Sequence, residues 1–108
     1  MNLQKLIDIL LELRTASLQL GKDPSESDIK SLMHRYDMLF LGKNINLIYS
    51  IELCHSLKTY FHIDTDIDEL NSLIPVACKN LNMKYETLVA IDELDKNPKI
   101  KCYEIILW

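Results

Sequence analysis

Tyr85-Glu86-Thr87-Leu88-Val89-Ala90-Ile91 and Ile100-Lys101-Cys102-Tyr103-Glu104-Ile105-Ile106-Leu107-Trp108 are the stretches on which the fold class of this 108-residue chain turns. Tyr85, Thr87, Val89 and Ile91 alternate as a half-buried strand would, and Ile100, Cys102, Ile106 and Trp108 share one strand face. The same residues also carry helical stripes, Leu88-Ile91-Leu94 and Ile100-Tyr103-Leu107. A lone two-stranded hairpin is marginally stable in water. Between the two stretches, Leu94-Asp95-Lys96-Asn97-Pro98 repeats a helix-corner pattern found twice upstream. The reading is therefore helical, with α+β, carrying a C-terminal β-hairpin over 85–107, as the alternative.

The corner pattern is Leu, Gly or Asp, Lys, Asp or Asn, then Pro or Ile. Its other two copies are Leu20-Gly21-Lys22-Asp23-Pro24 and Leu41-Gly42-Lys43-Asn44-Ile45. Each position suits a junction between helices. Leu closes a buried stripe, Gly takes the left-handed conformation past a helix end, and Asp or Asn accepts from the free N–H groups of the next helix. Pro at the first helical position forfeits no needed donor. Glu26 stands three residues after Asp23, the capping-box spacing. Unequal separation of the copies favours recurrent corner chemistry over a repeat array.

Working outward, apolar periodicity predicts helix 1 over 3–20, with Leu3, Leu6, Ile7, Leu10, Leu13 and Leu18 inward. Ile9 and Leu11 widen its apolar girth, as for a central helix. Helix 2 over 24–41 uses Ile29, Leu32, Met33, Tyr36, Leu39 and Phe40, and helix 3 over 45–61 uses Leu47, Ile48, Ile51, Cys54, Leu57 and Phe61. Helix 4 begins after Thr65 or Asp66 and uses Ile67, Leu70, Ile74, Ala77, Cys78 and Leu81. Pro75 lies inside it and is expected to kink or split it. Two Gly and three Pro are scarce for sandwiches, barrels or Gly-rich phosphate loops, which need many turn residues. The expected architecture is all-α: a compact bundle of five to six helices joined by short corners, forming a single helical domain over 1–108.

A hydrophobic fraction of 48% excludes intrinsic disorder. No stretch approaches the ~20 apolar residues of a membrane span, and charges interrupt residues 3–12 where a secretory signal needs a continuous apolar run. Cys54, Cys78 and Cys102 are odd in number and lack CxxC spacing, so reduced thiols in a cytoplasmic, reducing compartment are expected. The net charge of −4 argues against a broad phosphate-backbone footprint. Residues 63–95 carry eight acidic and two basic side chains, a net of −6, and concentrate the acidic surface.

The run Asp64-Thr65-Asp66-Ile67-Asp68-Glu69 has the first carboxylates of a calcium loop. Glu69, however, stands where that loop needs Gly, and Pro75 where it needs a bidentate Glu. The carboxylates suit the positive N-terminal end of helix 4 instead. His55 and His62, two helical turns apart, supply with Asp64 too few convergent ligands for a metal. Cys54 and His55 are adjacent and diverge on a helix, so they do not make a nucleophile–base pair. Arg35 has Asp28 and Asp37 nearby where a phosphate site would need further cations. No GxSxG, P-loop or dinucleotide fingerprint is present. No catalytic residue, metal site or cofactor is expected.

What remains is interaction. The acidic balance and the apolar end Ile105-Ile106-Leu107-Trp108 point to a non-catalytic protein–protein interaction domain. Its expected contact residues are Asp64, Asp66, Asp68, Glu69 and Trp108, facing a partner with a basic surface, as in a small inhibitor or immunity-type protein. Trp108 also reads as a plug closing the core. The alternative is a structural subunit, a homodimer or a component of a larger complex, using the apolar girth of helix 1 and the Trp108 tail as interface. A helix-turn-helix DNA-binding regulator, with helices 2 and 3 around Gly42-Lys43-Asn44, is the third reading, and the acidic balance counts against it. Neither nucleic acid nor membrane is an expected partner.

Overall fold

The computed structural model describes residues 1–89 and 100–108. Within them the chain runs α1 (Leu3–Leu18), α2 (Glu26–Tyr36), β1 (Leu47–Tyr49), α3 (Ser50–Thr59), α4 (Ile67–Leu81), β2 (Lys84–Val89) and β3 (Ile100–Ile106). The strands form one antiparallel sheet in the order β1-β3-β2. The fold is therefore α+β, and the expected all-α bundle of five to six helices is incorrect.

The reason lies in β3. Cys102, Glu104 and Ile106 alternate with Tyr103, Ile105 and Leu107, so both strand faces carry apolar side chains and a helical stripe can be drawn through the run by skipping residues. Its β-branched and aromatic content fits a pleated surface. The hairpin is also not alone. Leu47-Ile48-Tyr49, expected as the first turn of helix 3, is a strand that pairs with β3 as Leu47↔Ile106, Ile48↔Ile105 and Tyr49↔Glu104. A third strand with a buried face removes the marginality of an isolated hairpin.

The corners divide three ways. After α1, Gly21 takes a left-handed φ of 77°, as expected of a residue beyond a helix end. The cap of α2, however, is Ser25, whose side chain accepts from the Asp28 N–H at 3.1 Å, and not Asp23. The Gly42 corner does not join two helices. It reverses the chain so that Leu41 and Leu47 exchange backbone hydrogen bonds of 2.7 and 3.0 Å, which leads directly into β1. The third corner, Leu94–Pro98, lies outside the described residues, as do Ile91 and Leu94 of the expected helical stripe. Helix α4 runs through Pro75 as one element and is not split there. Leu70, Ile74, Ala77 and Cys78, two on either side of the proline, are buried on a common face and hold both halves to the core.

The core lies between the helices and one face of the sheet. Leu6, Leu10 and Leu13 of α1, Leu53 and Leu57 of α3, Leu70 and Ile74 of α4, and Ile48, Ile105 and Leu107 are essentially inaccessible to solvent. Fully burying one such side chain stabilises the fold by about 1.5–3 kcal/mol. Three buried serines tie elements together across this core. Ser56 donates to the Tyr36 carbonyl at 2.6 Å, and Ser50 accepts from the Tyr103 N–H at 2.8 Å while donating to Asn71 at 2.9 Å. Ser17 donates to the Ile45 carbonyl at 2.7 Å and accepts from the Trp108 indole at 3.0 Å. Ile45 has a φ of 54°, a strained value for a β-branched residue, so Ser17 anchors the turn where its backbone is least comfortable. Among the described residues no buried side-chain polar atom lacks a partner.

Candidate functional site

Strand alternation and the register assign every sheet residue to a face. On the inner face Ile48, Tyr103 and Ile105 belong to the core and Tyr85 packs against it. The outer face has three cross-strand rows. Leu47, Ile106 and Lys84 form the first, Tyr49, Glu104 and Glu86 the second, and Cys102 stands opposite Leu88 in the third. Apart from Cys102, which is 4% exposed and counts among the buried core residues, none of these residues belongs to the core or is among the apolar side chains packed against it. Leu47, Tyr49 and Ile106 are half-buried and Leu88 is 36% exposed, while Cys102 is buried.

Glu86 and Glu104 are direct cross-strand partners. Their Cβ atoms are therefore about 5 Å apart, a placement that disfavours two like charges. Among the described residues, neither carboxylate takes part in an ion pair. Two carboxylates flanked by Tyr49, Leu47, Ile106 and Leu88 make a surface that attracts cations and covers apolar groups at once. Sequence reasoning missed it. Glu86 entered only as part of the −6 segment and Glu104 was not singled out. The available signal was one Glu in each strand-like run, with Leu88 two positions after Glu86 and Cys102 and Ile106 two positions either side of Glu104.

The residues expected to meet a partner lie elsewhere, and several have work inside the molecule. Asp66 caps α4, accepting from the Glu69 N–H at 2.8 Å. Glu69 accepts from the Met1 amino group. Asp68 lies in the first turn of α4, where its charge complements the helix dipole, and Asp64 is exposed just before it. Trp108 is intermediate between plug and anchor. Its indole N–H is held by Ser17 and its carbonyl by the Asn46 amide, yet 38% of the residue is exposed.

A second surface lies on the helical side. Two open depressions, of ≈ 540 and ≈ 480 Å³, share Ile51 and His55. Leu39 and Ile51, both expected in the core, are 48% and 44% exposed here. Ile51 is displaced from the core because α3 starts only at Ser50 and buries Leu53, Cys54, Ser56 and Leu57. Beside them His55 meets the Asp37 carboxylate at 2.9 Å. Hydrogen bonding from Thr59 and from His55 holds Asp37 below its ordinary pKa. This pair is well exposed, and no nucleophile is ordered by it. The rim mixes His34 and Lys58 with Glu52 and Asp37, so it has no preference for one sign of charge.

The remaining chemistry is sparse. Cys54, Cys78 and Cys102 are buried and form no disulfide. Burial pushes the Cys78 thiol up to about 11, which makes it a poor nucleophile at neutral pH. Among the described residues no three His, Cys, Asp or Glu side chains converge as a metal site. No described helix is long and apolar enough to cross a membrane. The link between α2 and α3 contains the Leu41–Leu47 turn and β1, so Gly42-Lys43-Asn44 is not the turn of a helix-turn-helix. The chain matches no known protein-family model, no curated protein sequence and no solved structure.

Proposed function

We propose that this chain is a non-catalytic protein–protein interaction domain that binds a basic partner through the outer face of its sheet. One observation carries the reading: Leu47, Tyr49, Ile106 and Leu88 surround the opposed Glu86 and Glu104 on a face outside the core. Apolar side chains left outside a core mark interaction surfaces, and carboxylates among them that make no ion pair with the described residues select the sign of the partner's charge. A small inhibitor that covers a basic surface on an enzyme or toxin is the specific form this takes. The acidic site thereby moves from Asp64–Glu69, where Asp66 and Glu69 have partners within the fold, to the sheet.

The test is comparative capture from a native lysate treated with nuclease, using the unaltered chain, an Ile106→Lys variant and an Asp64→Lys/Asp68→Lys variant. The expected result is a basic protein retained by the first and third and lost from the second. Once isolated, that protein should slow hydrogen exchange at residues 47–49, 84–88 and 102–106. Equal retention by the Ile106→Lys variant, release by nuclease, or protection confined to other residues would overturn the reading.

A further inference from the structure

We infer that the chain pairs with a second copy of itself through the exposed face of α3, with the two helices antiparallel about a two-fold axis at His55. Ile51 and His55, one turn apart, form an i, i+4 ridge on the exposed side of α3. The two open depressions of ≈ 540 and ≈ 480 Å³ both border this ridge, one reaching to Met33 and Leu39 and the other to Lys58 and Ile67. Leu39 and Ile51 are exposed, and half-buried Met33 and Ile67 extend the apolar ground. Helices pack by seating the ridges of one in the grooves of the other. A ridge that carries its own grooves meets both needs, as a contact between identical patches requires. By contrast α1, expected to supply such an interface, exposes only Leu18 among its large apolar side chains.

Charge favours a second copy over a different occupant. Glu52 and Lys58 stand three residues either side of His55, and among the described residues neither forms an ion pair. Antiparallel pairing about His55 brings Glu52 of each copy to the level of the partner's Lys58, within reach of these long side chains, and symmetry makes the contact twice. A uniformly basic or acidic partner would instead oppose one of the two charges with its like. Each His55 stays beside the Asp37 carboxylate of its own chain, 2.9 Å away, so the two rings that meet at the axis each have a carboxylate next to them. This surface shares no residue with the strands. The pair therefore leaves the outer faces of both sheets open for a different partner.

The experiment is sedimentation equilibrium on the full-length chain over a concentration series into the millimolar range, with ¹⁵N spectra at both ends of the series. The expected result is a reversible monomer–dimer equilibrium whose concentration-dependent shifts fall at 33–39, 51–58 and 67. Ile51→Lys, at an exposed position, should keep the folded spectrum and weaken self-association by about tenfold or more. Glu52→Lys and Lys58→Glu should each weaken it about as much, since each sets like charges against one another twice. Mixed in equal amounts, these two variants should recover the association that neither shows alone. A monomer throughout the series, or an Ile51→Lys variant that associates as tightly as the unaltered chain, would overturn the inference. So would concentration-dependent shifts confined to the sheet or to α1, or no gain in association when the two charge variants are mixed.

Discussion

Ile105 and Ile106 are chemically identical neighbours on β3, yet they lie on opposite faces of the sheet. Ile105 is sealed among helices, while Ile106 is half-buried beside a lysine and outside the core. The inner face is organised for stability: Ile48, Tyr103 and Ile105 belong to the core, and the buried Ser50 beneath them is hydrogen-bonded to Tyr103 and Asn71. The outer face departs from that aim by placing two glutamates opposite one another. A local arrangement that weakens the isolated fold is expected where a surface is shaped by what it binds.

The sharpest way to break this comparison is truncation on each face. Ile105→Ala should destabilise by about 2–5 kcal/mol in denaturant unfolding, and Ile106→Ala by less than about 1 kcal/mol. Similar losses would mean that the two faces are not energetically distinct. Next in size is Ser17→Ala, which leaves the Ile45 carbonyl and the Trp108 indole without their partner. It should cost about 1–3 kcal/mol in a thermal melt. Glu86→Lys reverses the sign of the outer face and replaces a repulsive pair with an attractive one. It should raise stability by about 0.2–1 kcal/mol even as it removes the proposed binding. A destabilised Glu86→Lys variant would show that the two carboxylates are not in conflict.

The smallest effect is electrostatic and lies away from the sheet. Asp37 should titrate below the ordinary aspartate value, and His55→Ala or Thr59→Val should each return its midpoint upward in a ¹³C carboxylate titration. Because the pair favours the ionised carboxylate, any stability it contributes is present above the unfolded-state value near 3.9. It is lost as pH falls through the lower folded midpoint. An unchanged midpoint in both variants would detach Asp37 from its neighbours.

Much of the helical half was legible in the chain. Leu6, Leu10 and Leu13 mark the buried stripe of α1, and Leu70, Ile74, Ala77 and Cys78 that of α4, because a helix buried on one side leaves a 3.6-residue period. The sheet was not, for the converse reason. A central strand with apolar residues on both faces has no single period, and the three residues of β1 run straight into α3 with no turn between them. The serine joints were invisible to hydrophobic patterning, since Ser17, Ser50 and Ser56 are as buried as leucines. The Glu86–Glu104 pairing exists only through strand register, which neither stretch reveals alone.

The strand order carries a further consequence, for the path by which the molecule assembles. β1 and β2 do not touch; each acquires its sheet partner only when β3 enters between them. Until then Ile48 and Tyr85 have no ladder, and the helices lack the floor supplied by Ile105 and Leu107. The β2–β3 ladder joins consecutive strands, whereas the β1–β3 ladder joins residues from opposite halves of the chain. Such distant closure slows the search relative to a local helical bundle. β3 is thus the keystone of the sheet: weakening it dissolves both ladders together, so loss of the sheet should be all-or-none.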